Sequence, residues 1–70
     1  MEFYSDSSFI DYVKYNHRKQ ELDIYMYGNK YSFVNIPLSL YMEFKDSESH
    51  GKFYNANIKN IKKYIKDIIK

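Results

Sequence analysis

The chain has 70 residues, 44% of them apolar and 29% charged, with a net charge of +2; this composition describes one small globular domain and excludes a disordered chain and the large enzyme folds. It has no cysteine, which excludes disulfide scaffolds and thiolate metal sites, and no apolar run approaches the roughly 18 residues of a membrane span. Met1 to Phe9 carries Glu2 and Asp6 where a secretory leader needs positive charge, so the expected location is cytoplasmic, with no membrane partner.

Met1 to Ser8 is polar and serine-rich and reads as a lead-in. Phe9 to Asn16 is rich in β-branched and aromatic residues and predicts a strand. Ile10, Val13 and Tyr15 cannot share one face at strict period two, so a bulge near Tyr12 is expected. Asn16 to Gln20 is a polar turn of hairpin length. Glu21 to Tyr27 then alternates, with Leu22, Ile24 and Met26 on one side and Asp23, Tyr25 and Tyr27 on the other, the pattern of a half-buried strand. Gly28-Asn29 reads as a two-residue turn that tolerates positive φ. Lys30 to Ile36 returns as a third strand with Tyr31 and Phe33 on a common face. Short turns make these strands an antiparallel meander, because parallel pairing needs a longer crossover.

Pro37 suits the first turn of a helix. Leu38 to Ser47 continues at helical spacing, with a core stripe of Leu38, Tyr41 and Met42 or of the neighbouring Leu40 and Phe44. Ser47 to Gly51 breaks it. From about Phe53 or Asn57 to Ile69, Ile58, Ile61, Ile65 and Ile68 recur at spacings of three, four and three, which predicts an amphipathic helix. The expected fold is α+β: a three-stranded antiparallel β-meander followed by two α-helices, β-β-β-α-α. It forms a single domain over residues 1–70, with residues 59–70 a basic amphipathic C-terminal helical extension.

In this order the residues resemble the KTSC domain, a small family named for the C-terminus of some lysyl-tRNA synthetases. The resemblance begins with Ser7-Ser8-x-Ile10-x-x-Val13-x-Tyr15 and continues through Leu22-x-Ile24-x-Met26 and Tyr31-x-Phe33-x-x-Ile36-Pro37. It closes with Ser49-x-Gly51-Lys52-Phe53-Tyr54-Asn55-x-x-Ile58. Tyr31-Ser32-Phe33 stands where the family has Tyr-x-Tyr. The resemblance implies a small stand-alone module and, through the family's association with a synthetase, RNA binding.

Catalysis is not expected. His17 and His50 fall in polar turns and read as surface residues, Ser7 and Ser8 lack a recognisable base, and no metal-ligand cluster or Gly-rich phosphate loop appears. No cofactor is implied. Gly51 reads as a helix C-cap. Around it, Lys52, Tyr54 and Asn55 are candidates for a small pocket that takes a phosphate or base. Charge is divided: net −3 through Gly51 and +5 from Lys52 onward. Lys59, Lys62, Lys63 and Lys66 on the last helix are candidates to track phosphates. Tyr25 and Tyr27, together with Tyr12, would offer bases a stacking surface if the helices cover the opposite side of the sheet.

The leading reading is a non-enzymatic module that binds RNA, single-stranded DNA or a nucleotide through a basic helix and an aromatic surface. The rival is an inhibitor, encoded by a phage or mobile element, whose acidic body binds a host protein or defence complex; heavy use of Lys, Ile, Asn and Tyr suits such an AT-rich origin. A homodimer through Ile58, Ile61, Ile65 and Ile68 is also expected.

Overall fold

The computed structural model describes residues 1–61 and the backbone of 63–68. Five antiparallel strands form one sheet in chain order: β1 (Glu2–Tyr4), β2 (Ile10–Asn16), β3 (Glu21–Met26), β4 (Asn29–Phe33) and β5 (Lys63–Ile68). Between β4 and β5 the chain crosses one face of the sheet as α1 (Leu38–Asp46) and α2 (His50–Phe53), the latter continued by a π-helical turn over Tyr54–Ile58. The α+β class with an antiparallel sheet and two helices is as expected, but the strand count is not three.

The central strands follow their side-chain patterns. Leu22, Ile24 and Met26 are buried on one face of β3, opposite Phe33, Tyr31 and Asn29 of β4. The register of β2 slips between Ile10 and Tyr12, and this bulge lets Ile10, Val13 and Tyr15 all enter the core. The turn from β3 to β4 is Tyr27-Gly28 rather than Gly28-Asn29, with φ of 55° and 75°. Tyr27 tolerates that backbone while its ring stacks on Phe9, 5.8 Å away at 10°.

Two segments correct the sequence expectation. Glu2–Tyr4 is a strand, not a lead-in, paired with Tyr12–Lys14. Its Phe3 turns inward against Tyr41 and Phe44. The expected helix over residues 59–70 does not form among the described residues: helical backbone stops at Ile58, and Lys63–Ile68 pairs with β4. The physical reason is the open edge of β4, whose N–H and C=O groups need partners that a β-branched segment supplies readily.

The helical layer buries Tyr41 and Phe44 of α1, with Leu38 and Leu40 half-buried beside them and Met42 exposed. Tyr41 stacks flat on Tyr15 at 4.6 Å. Tyr15 in turn donates its hydroxyl to the Ile36 carbonyl at 2.6 Å, tying sheet to loop. Pro37 stands just before α1 as its N-cap rather than within the first turn.

Candidate functional site

All the helices lie on the Leu22–Ile24–Met26 side, so the other face of the sheet has no helix over it among the described residues. On that face, cross-strand register aligns Tyr4 with Tyr12, Tyr12 with Tyr25, and Tyr25 with Lys30. The tyrosine rings follow one another at centroid distances of 4.9 and 5.3 Å, tilted by 44° and 50°. Tyr4 is 83% exposed. One step along the strands lies a second row, Glu2, Lys14, Asp23 and Ser32.

Hydrogen bonds hold these rows together. The Tyr12 hydroxyl donates to Glu2 Oε1 at 2.7 Å, and Ser32 Oγ donates to Asp23 Oδ1 at 2.6 Å. The bond to Glu2 is the main cause that pushes the Tyr12 phenol up to about 12, so that ring stays neutral and fixed in direction. A neutral, oriented aromatic row beside alternating charges can stack planar rings and offer both acceptors and a cation at their edges.

A second feature lies where the two ends of the family-like pattern meet. The loop Ser5–Phe9 runs beside the start of α2, and Ser5 Oγ lies 2.7 Å from His50 Nδ1. His50 Nε2 lies 3.1 Å from the Lys45 carbonyl, which can only accept, so Nε2 donates, and Nδ1 shares the second hydrogen bond with the Ser5 hydroxyl. Phe3 and Phe44 flank the imidazole at 4.9 and 5.6 Å. His50 is therefore a half-buried tie between segments rather than a surface residue. Ser49 caps α2 by accepting from the Lys52 N–H at 3.3 Å. Gly51 sits inside α2 rather than at a helix end, and a Cβ there would stand 2.9 Å from Phe9 Cε1. It serves close approach, not the expected C-cap.

These contacts frame a cleft of about 390 Å³ lined by Asp6, Ser7, Ser8, Phe9, Glu48, Ser49, Lys52 and Asn55, among others. Two carboxylates face one ammonium, a balance that repels a bare phosphate.

The sequence-derived candidates scatter. Lys52 and Asn55 line the cleft, while Tyr54 is buried in the core with its ring edge-on to Phe9 and Phe33. Burial raises the Tyr54 phenol above its ordinary pKa. Tyr25 lies on the open face, whereas Tyr27 leaves it for the turn, 70% exposed. Lys59 is exposed just beyond the π-helical turn. Lys62 lies outside the described residues; Lys63 and Lys66 fall on β5, with side chains outside the description. The described lysines thus share no helix face. Nor do the isoleucines: Ile58 is fully buried, Ile61 is half-buried, and Ile65 and Ile68 belong to β5. The stripe expected to dimerise does not form.

Glu2 and Asp23 lie on the sheet, Asp6 and Glu48 flank the cleft, and Glu43 and Asp46 are exposed on α1. Sequence reading missed Tyr4 because Met1 to Ser8 looks like a lead-in; the apolar Phe3 between Glu2 and Tyr4 was the available signal of a strand. No group of three His, Cys, Asp or Glu suited to a metal occurs among the described residues. No helix among them is long and apolar enough to cross a membrane.

Residues 6–64 match the family model described as the KTSC domain. A crystal structure of a KTSC domain protein from Yersinia pestis is similar, with a TM-score of 0.88 and 20% sequence identity over 96% of this chain and 97% of that one. That likeness speaks to the fold. No curated protein matches the chain.

Proposed function

The chain belongs to the KTSC domain family, and on that premise we propose that it is a non-enzymatic module that binds single-stranded nucleic acid by stacking bases on the Tyr4–Tyr12–Tyr25 row. The observation that carries this reading is the row itself: three rings on three adjacent strands, on a sheet face that carries no helix among the described residues. Aromatic platforms of this kind bind single strands because every base has a π-face, and each stacked base contributes about 1–3 kcal/mol. Lys14, exposed in the adjacent row, supplies a cation for the backbone. With no lysine-lined helix among the described residues, stacking rather than phosphate contact dominates, so the dependence on salt is shallow, with about one or two phosphate contacts at roughly −0.7 each in log–log slope.

Fluorescence anisotropy with a labelled mixed-sequence ribonucleotide octamer at 50 and 200 mM salt tests this. Tyr12→Ala and Tyr25→Ala should each weaken binding by about 5- to 150-fold and leave the salt slope unchanged. Absence of binding at 50 mM salt, or wild-type affinity in the double variant, refutes the proposal.

A further inference from the structure

The same face carries more than stacking rings. Asp23 lies on the tyrosine side of β3, two residues before Tyr25 and directly opposite both Lys14 and Ser32. Ser32, fully buried, pins Oδ1 of Asp23 with a 2.6 Å hydrogen bond. That bond occupies one of the roughly four lone-pair positions of a carboxylate. Glu2 likewise accepts one bond, from the Tyr12 hydroxyl, but it lies on the outer strand two residues before Tyr4, away from Tyr25. A fixed carboxylate beside a stacking ring repels phosphates and therefore suits a base edge better than a backbone.

Resting on the stacking reading above, we propose that the platform prefers guanine, with Asp23 accepting from the N1–H and N2–H2 groups of a guanine stacked on the tyrosines. Two residues along a strand span about 6.6 Å, so the edge of a purine laid on Tyr25 falls beside Asp23. Guanine presents two parallel donors on its Watson–Crick edge, which match the two oxygens of a carboxylate. Adenine puts its N1 lone pair in that place, uracil flanks its single N3–H with two carbonyls, and cytosine sets the N3 lone pair beside its amino group. Each of those edges brings an acceptor towards the carboxylate. Lys14, across from Asp23, offsets the repulsion that this carboxylate exerts on the passing phosphates.

The test uses four labelled ribonucleotide hexamers: six uridines, and the same strand with one central guanine, adenine or cytosine. The guanine hexamer should bind about tenfold or more tightly than the other three, the discrimination typical of a two-bond base contact. Asp23→Asn keeps an acceptor for Ser32 but puts a donor where guanine needs an acceptor. It should bring the guanine hexamer down to the affinity of the uridine strand. Equal affinity of all four hexamers for the wild-type protein overturns the guanine preference and leaves the stacking platform standing. A preference that survives Asp23→Asn in a folded variant overturns the role of Asp23. If no hexamer binds, the platform fails and the guanine preference fails with it.

Discussion

Replacing Gly51 with Ala tests how the cleft is built. Gly51 lies within α2 and not at positive φ, so the ordinary expectation for Gly→Ala in a helix is a gain of about 1 kcal/mol. Here the new Cβ would stand 2.9 Å from Phe9 Cε1, 3.3 Å from Phe9 Cζ and 3.2 Å from Ser7 Oγ. The Phe9 ring is not free to swing. It stacks on Tyr27 and meets Tyr54 edge-on, and its backbone N–H donates to Ser7 Oγ at 3.4 Å. Overpacking of this kind costs about 1–3 kcal/mol, so the sign reverses and the variant loses roughly 1 kcal/mol net. For a domain of this size that lowers Tm by about 4–8 °C. Thermal and urea unfolding of Gly51→Ala, Phe9→Leu and the double variant would read both the loss and its origin. The coupling between the two sites should exceed about 0.5 kcal/mol, because leucine lacks the ring atoms that the new Cβ meets. A Gly51→Ala protein that melts above the wild type would refute the close-approach explanation.

Two further predictions follow from the tyrosines. The Tyr41 hydroxyl is buried with no hydrogen-bond partner among the described residues, while its ring stacks on Tyr15. Tyr41→Phe keeps the stacking and removes the unsatisfied group, so urea unfolding should show a gain of about 1 kcal/mol; a loss would contradict the assignment. Burial raises the phenols of Tyr15, Tyr41 and Tyr54, and the hydrogen bond to Glu2 does the same at Tyr12. The unfolded chain gives up these protons near pH 10 while the folded one keeps them, so stability is complete below about pH 10 and falls as pH rises towards the folded-state values. Melts between pH 9 and 11.5, paired with phenolate absorbance, should show Tm falling from pH 10 upward; a flat Tm over that range would refute it.

The sequence by itself determined the middle of the sheet and the first helix. Leu22, Ile24 and Met26 alternate with polar neighbours, and period two is a local property that needs no partner to be read. The bulge in β2 was legible too, because Ile10 and Val13 stand three apart and can share a face only if one residue is extra. Pro37 followed by Leu38, Tyr41 and Met42 at helical spacing marked α1 in the same local way, although Phe44 of the neighbouring row, and not Met42, enters the core beside Tyr41.

The tertiary structure alone decided the two outer strands. In β5 the register runs from Tyr31–Ile65 to Lys30–Asp67, so Lys66 is the extra residue, and Ile65 and Ile68 stand three apart across a bulge just as Ile10 and Val13 do. Spacing of three reads equally as a helical step or a bulged strand, and the unpaired edge of β4 settles which one forms. The turn illustrates the same limit. Pairing through Tyr27-Gly28 or through Gly28-Asn29 keeps the same side chains inward, so alternation cannot choose between them, whereas the stacking of Tyr27 on Phe9 can. The tyrosine row depends on register across three strands, and the cleft depends on Ser7 and Gly51 meeting from opposite ends of the chain. Both are long-range pairings, which one-dimensional periodicity does not contain.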